Sequence, residues 1–315
     1  MSKTKAVENQ VATSSPPKQG PQYRIPYLYI ATGIKGGGKT YFSTNSIMYP
    51  YIEAKGQNKP VLIFDTNSEY EGVEDIYFDI TLTRADPANP KKQVPDPKKI
   101  AEHIIAFSRD VQARKFKPQM RRILPFKPNK EEMTPQEKRI AAQIILKYFK
   151  TGLVVLEDLN SYMLGAKTVD MISAIVTNRH RNQDILIHLQ SVSAMDPRMF
   201  ANVNVIRMHH QPDPLKRISD KLTNPELFYI AKEIVDSKWQ TNPYAFVYVY
   251  PQLQKIGNVD EWEFREGCKL YLNSNPGVLR QYMQRMDLDS GKATKRSANE
   301  AVSDFVNSKM HYIQA

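Results

Sequence analysis

The chain is short of cysteine: Cys268 is the only one in 315 residues. A single thiol excludes an internal disulfide framework and a cysteine-rich zinc site, and it suits a reducing compartment. There is no apolar run of about 18 residues, so no membrane span is expected. Residues 1–22 lack the apolar core that a secretory signal needs. His180 and His188 have no acid or cysteine at ligand spacing, which argues against a metal site built on them. No internal repeat is present. These absences lead to the expectation of a soluble, cytoplasmic protein.

Acids are also in deficit, with 33 Asp and Glu against 44 Lys and Arg, a net charge of +11. The excess is local: residues 91–150 hold 16 Lys and Arg against 6 Asp and Glu. A basic surface suits a polyanion such as nucleic acid, and equally a solvated lysine-rich face. With 41% hydrophobic and 24% charged residues, the chain can bury a core. Its length fits one large α/β domain or a domain with an appendage.

The most informative stretch is 27–40. Tyr27–Ala31 reads as an apolar strand, and the sequence continues Gly33-Ile34-Lys35-Gly36-Gly37-Gly38-Lys39-Thr40 into a helix over about 39–53. A strand, a Gly-x-x-x-x-Gly-Lys-Thr loop and a helix make a phosphate-binding loop in its expected context. Glycines let backbone N–H groups curl around a phosphate, and the helix N-terminus favours the anion. Lys39 reaches β- and γ-phosphates, Thr40 can ligate Mg²⁺, and Gly33 through Tyr41 form the nucleotide-binding set. A glycine-rich turn beside a surface lysine would leave three consecutive glycines before Lys-Thr unexplained.

Residues 1–24, with Ser14-Ser15-Pro16-Pro17, read as a flexible tail. Val61–Asp65 reads as a buried strand ending in an acid, followed by Thr66-Asn67-Ser68-Glu69-Tyr70. Glu69 can orient a water or an arginine, or cap the next segment; Asp65 suits a structural role. Residues 84–99 read as an exposed loop, 97–111 as a helix and Ile123–Phe126 as a short strand. Thr134 and Glu137 form a capping box with Pro135 at the first helical position, opening a helix to about Phe149.

Leu153–Leu156 is a buried-type strand closed by Glu157 and Asp158. An acid there holds Mg²⁺, usually through water, and a neighbouring carboxylate polarises the attacking water. Glu157 takes the metal-side position and Asp158 the base position. The more usual order is Asp-Glu, so either acid can take either role. A helix is expected over 167–181, and Arg179 and Arg181 are candidate arginine fingers or favourable charges at its end. Asp184–Gln190 is the next strand. Gln190 is the candidate γ-phosphate sensor, or simply a partner for nearby backbone. Val203–Met208 and Tyr244–Tyr250 read as strands, and 214–221 and 225–236 as helices. Lys255–Val259 with Trp262–Phe264 read as a terminal hairpin, Cys268–Leu272 as a strand, and 275–286 and 298–311 as helices.

On GIKGGGKT (33–40), DTNSEY (65–70), LVVLED (153–158) and NRHRNQDILIHLQ (178–190), the chain resembles the FtsK–HerA superfamily of P-loop motor ATPases. Within it, the likeness is to the ATPase domain of zonular occludens toxin-like phage proteins and to viral genome-packaging ATPases. It covers about residues 25–250. The resemblance implies an α/β P-loop NTPase fold, a three-layer sandwich with a mainly parallel sheet and an extra strand between the phosphate loop and the Mg²⁺ strand. It also implies a ring-forming motor acting on DNA. Carried across, Gly33, Gly38, Lys39 and Thr40 match the phosphate loop, Glu157 and Asp158 the acidic pair in reversed order, and Gln190 the polar sensor.

The expectation is therefore a tail (1–24), an ATPase domain (25–250) and a C-terminal hairpin with helices (251–315). The function expected is a Mg²⁺-dependent ATPase that moves DNA as a homo-oligomeric ring, most simply in phage genome packaging, in the host cytoplasm or with the virion. The missing membrane span weighs against a membrane-anchored extrusion motor. The alternatives are an ATPase for virion assembly, extrusion or protein secretion, and a nucleotide-binding switch protein that hydrolyses little.

Overall fold

The computed structural model describes residues 26–54, 59–117, 119–163, 172–175, 177, 182–284 and 296–314. Its centre is an eight-stranded sheet. In chain order the strands are β1 (Leu28–Thr32), β2 (Val61–Phe64), the separate pair β3 (Thr83–Asp86) and β4 (Asn89–Pro95), β5 (Met120–Ile123), β6 (Gly152–Leu156), β7 (Gln183–Leu189), β8 (Val205–His209), β9 (Phe246–Tyr250) and β10 (Lys255–Gly257). Across the main sheet the order is β10-β9-β8-β1-β7-β6-β2-β5. Pairs from β8 to β5 are parallel, and β9 and β10 add an antiparallel edge. One strand, β7, separates the phosphate-loop strand β1 from the acid-bearing strand β6, as the sequence resemblance implies.

The central strands are apolar on both faces because both faces are covered. Val61, Ile63, Leu153, Val155 and Leu186 pack on Met48 under the helix that follows the phosphate loop. The alternate residues, among them Leu62, Phe64, Val154, Leu156, Ile185 and Ile187, join the larger core on the opposite face. That core takes Ala141, Ala142 and Ile145 from helix Pro135–Tyr148 and Leu227, Ile230 and Ile234 from helix Pro225–Trp239. Thr134 and Glu137 form the expected capping box on the first of these helices. Such a cap is worth about 1 kcal/mol.

The phosphate-loop helix is not uniform. It runs Lys39–Ser43, passes through a π turn at Thr44–Met48 and continues as Tyr49–Glu53. Pro50 is the cause we assign. It has no N–H to donate and its ring crowds the carbonyl one turn back, and a widened turn relieves both.

Four expectations need correction. Residues 84–99 are not a loop: β3 and β4 pair as an antiparallel hairpin, with an irregularity at Ala85 and Asp86. Its side chains are almost all exposed, so backbone pairing proceeds without the alternating apolar pattern that marks a strand. The strand expected at Ile123–Phe126 lies earlier, at Met120–Ile123, because Pro125 cannot donate to a ladder. Trp262–Phe264 and Cys268–Leu272 are not strands but one helix, Glu261–Ser274. Asp260 and Glu263 cap it reciprocally, and Phe264, Cys268, Tyr271 and Leu272 recur at helical spacing into the core. Residues 215–221 form a 3₁₀ helix rather than an α-helix.

The C-terminal segments join the same core as the sheet, through Phe264, Leu272, Phe305 and Val306. Among the described residues no helix is long and apolar enough to cross a membrane.

Candidate nucleotide site

The phosphate loop leaves β1 with Gly33 at φ 146° and Gly36 and Gly38 at φ 80°. Gly33 is required twice over. Its backbone is left-handed, and a Cβ there would stand 2.6 Å from His209 Cβ on β8. Gly33 N donates to Leu189 O of β7 and Ile34 N to His210 O, so both neighbouring strands pin the loop. Lys39 curls back, with Nζ donating to Gly33 O at 2.7 Å and to Ile34 O at 2.8 Å. Burial pushes the Lys39 ammonium below its usual pKa, and the charges of Glu157, Glu69 and Asp158 oppose that shift.

A cleft of about 520 Å³ opens over the loop. It is lined by Lys35, Gly36, Gly38, Lys39, Thr40 and Tyr41 from the loop, by Asn67 and Glu69 after β2, by Glu157 and Asp158 after β6, and by His188, Leu189 and Gln190 from β7. The structure thus brings the loop, the acidic pair and Gln190 together at the carboxyl edge of the parallel strands, the ligand-binding edge of α/β sheets. Ile34 and Gly37 do not line the cleft. Ile34 is half-buried, and Gly37 is buried with its N–H on Ile34 O. Arg179 and Arg181 lie outside the described residues.

The two acids differ sharply. Asp158 sits in a left-handed turn at φ 40° and accepts a 3.3 Å hydrogen bond from Gln190 Nε2. Glu157 is only 2% exposed. Tyr70 Oη donates to one of its oxygens, and His188 Nδ1 lies 2.8 Å from the other. Burial alone would raise its pKa, but His188, Tyr70 and Lys39 together hold it below the usual carboxylate range. Burial and the Glu157 charge push the Tyr70 hydroxyl well up, so it remains a donor.

Sheet register explains how Glu157 acquires those partners. Ala31 pairs with His188 on one side and Arg207 on the other. Glu157 is the residue after Leu156, which pairs with Ile187, and Asp65 follows Phe64, which pairs with Leu156. Arg207, Ala31, His188, Glu157 and Asp65 therefore form one row across five strands, on the face toward the phosphate-loop helix. Ala31 is the small member, and Ser43 of the helix comes down above it. Arg207 Nη2 donates to Ser43 Oγ at 2.6 Å and to Lys39 O at 2.7 Å, and Ser43 Oγ lies 2.7 Å from His188 Nε2. One donor direction is consistent along the row: Arg207 to Ser43, Ser43 to His188, and His188 through Nδ1–H to Glu157. Burial lowers the Arg207 pKa to about 10, and burial with the Arg207 charge lowers His209 beside it to about 2.

Two acids of the DTNSEY stretch divide their labour. Asp65 is fully buried, accepts from the backbone of Glu69 and Tyr70, and pairs with Arg122 at 3.2 Å. Glu69 is exposed in the cleft and takes the hydrogen of the Thr40 hydroxyl. A hydroxyl and a carboxylate meeting there are hard oxygen donors of the kind Mg²⁺ accepts.

Reading the sequence missed Ser43, Tyr70 and Arg207. The visible signal was a polar residue inside an otherwise buried strand: Arg207 in Val205–His209, and likewise His188 in Gln183–Leu189.

No family model matches the chain. No curated protein matches it either. Among solved structures it is similar to the genome packaging NTPase B204 from Sulfolobus turreted icosahedral virus 2 in complex with ATP-gammaS, at 17% identity and TM-score 0.45, over 73% of this chain and 95% of that one. It is also similar to B204, the DNA-packaging ATPase from Sulfolobus Turreted Icosahedral Virus, at 19% identity and TM-score 0.43, over 74% and 97%. The N-terminal domain of zonular occludens toxin from Neisseria meningitidis is a more distant likeness, at 14% identity and TM-score 0.31, over 60% and 79%.

Proposed function

We propose that the chain is a Mg²⁺-dependent ATPase that couples hydrolysis to the movement of DNA. The observation carrying the proposal is the single cleft that collects Lys39 and Thr40 with Asp158 and Gln190, from three separate segments. Backbone N–H groups of the loop and the helix N-terminus bind the phosphates, and Lys39 exchanges its two loop carbonyls for phosphate oxygens. Thr40 and Glu157 remain the metal-side residues, joined by Glu69. Magnesium, when bound, supplies positive charge to the β- and γ-phosphates. Buried and hydrogen-bonded on both oxygens, Glu157 is suited to fix a charge rather than to take a proton. Asp158, at the cleft, is suited to receive the proton of an attacking water, with Gln190 positioning both.

DNA as the moved polymer is supported by the motif resemblance and by the charge of +11. A homo-oligomeric ring, with Arg179 or Arg181 reaching a neighbour's phosphates, completes the proposal. The direct test of the roles is a pair of variants. Asp158→Asn should keep ATP binding and lose hydrolysis by about 10²-fold or more. Retained hydrolysis in that variant, with loss in Glu157→Gln, would exchange the two roles.

A further inference from the structure

The basic excess of residues 91–150 is not one surface. Six of its sixteen cations, Arg109, Lys115, Arg121, Arg122, Lys127 and Lys138, are ion-paired with neighbouring acids, and others such as Arg114, Lys130 and Lys150 lie apart from the hairpin. By contrast, Lys91 and Lys92 on β4, Lys98 and Lys99 just after it, and Arg84 on β3 are exposed and enter no ion pair or side-chain hydrogen bond among the described residues. The two acids of the same stretch are occupied by backbone. Asp86 accepts from Ala88 N, and Asp96 accepts from Lys98 N and Lys99 N. Residues 83–99 therefore carry five cations against two carboxylates, a net charge of +3.

The β3–β4 hairpin is also unusual as structure. It belongs to no larger sheet, and none of its residues is buried. A two-stranded ribbon with no apolar face gains little from folding onto its own domain. Its position follows from the topology. Helix Glu102–Gln112, which follows it, ends where Gln112 Nε2 donates to Lys150 O at 2.9 Å, at the amino end of β6. Going back up the helix, its rise of about 16 Å brings the hairpin's base to the level of the strands' carboxyl ends. The entering chain agrees. Asp75 bridges Arg122 in the parallel sense, and residues 76–82 leave from the carboxyl half of β5. Leu82 O and Asp96 N close the base at 2.8 Å. The hairpin thus stands on the edge that carries the phosphate loop. β5, from which the entering chain leaves, is four strand positions, about 19 Å, to the side of that loop.

We propose that the β3–β4 ribbon is a duplex-DNA contact, holding backbone phosphates through Arg84, Lys91 and Lys92, with Lys98 and Lys99 at its base. A two-stranded β-ribbon is one of the elements a DNA major groove admits. Flexible, exposed ammonium groups give phosphate contacts without sequence readout. Arg84 pairs with Val94, and Lys91 and Lys92 lie in the irregular part of β4, between Gln93, which pairs with Ala85, and Asn89, which pairs with Asp86.

This inference rests on the reading of the chain as a DNA-moving ATPase, and the test separates the two. Labelled duplexes of two unrelated sequences are titrated with the full chain across a salt series. The comparison is with the triple variant Arg84→Gln, Lys91→Gln, Lys92→Gln, and ATP turnover is measured without DNA. Wild type should bind both duplexes alike. The variant should bind at least about tenfold more weakly at about 100 mM salt, with a salt slope shallower by about 2–3, while its DNA-free turnover is unchanged. Equal affinity and slope in the variant would overturn the ribbon as a DNA contact while leaving the DNA reading intact. No duplex binding by wild type would overturn both. Because the three side chains are exposed, a thermal melt should show the variant folded. The pair Lys98→Gln, Lys99→Gln gives an independent reading, with an expected slope change of about 1–2.

Discussion

At the scale of single residues, the decisive contrast is between two neighbouring acids. Glu157 is enclosed by Tyr70 and His188, whereas Asp158 faces the cleft. The folded Glu157 carboxyl lies below its ordinary pKa because His188, Tyr70 and Lys39 outweigh its burial. Its bonds therefore stabilise the fold in full above the ordinary glutamate value of about 4.3, and that contribution fades as pH falls through the lower folded value. Glu157→Gln should remove this part of the acid-side loss. Identical stability profiles for wild type and Glu157→Gln between about pH 5 and 2, followed by circular dichroism, would contradict the assignment. His188→Ala should cost about 2–4 kcal/mol in urea unfolding, because it leaves a cavity and deprives a buried carboxylate of a partner. An unchanged unfolding midpoint would mean that the row of hydrogen bonds is not as drawn.

At the scale of elements, the row from Arg207 to Asp65 shows what could and could not be read beforehand. The glycines, Lys39, Thr40 and the Glu157-Asp158 pair were legible because each lies next to its neighbours in sequence. Arg207 and Ser43 were not. Their meeting depends on β8 pairing with β1, which brings together two residues 164 positions apart. Glu69 was legible as an acid after a strand, but its partner Thr40 was not. The hairpin at 83–95 reads as a loop in sequence because none of its residues is buried, so no apolar alternation marks the strands. Parts of helix Glu261–Ser274 read as strands because Trp262, Phe264, Tyr271 and Leu272 are β-prone or apolar in short windows, whereas the helical period shows only over the longer span. That helix also sets a packing limit. A Cβ on Gly267 would stand 2.3 Å from Ile234 Cγ1 on helix Pro225–Trp239. Gly267→Ala should therefore destabilise by about 1–3 kcal/mol in thermal or denaturant unfolding, with turnover per folded molecule unchanged. Wild-type stability in that variant would contradict the close approach of the two helices.

At the scale of the whole molecule, the sheet gathers the Gly33–Thr40 loop, Glu157, Asp158 and Gln190 along one edge, and the proposal sets a basic ribbon farther along it. Turnover should accordingly rise on adding duplex DNA, and the stimulation should weaken steeply with salt. Stimulation that is absent, or indifferent to salt, would point to a polymer other than DNA. Mass in solution with ATP should be a multiple of the 36.2 kDa chain if the arginines act across an interface. The most direct measurement of the loop's role is steady-state ATP hydrolysis in Mg²⁺ by wild type and by Lys39→Ala at matched fold. Wild type should hydrolyse ATP and Lys39→Ala should show none above background, with the same unfolding midpoint. Turnover at the wild-type rate in Lys39→Ala would contradict that role.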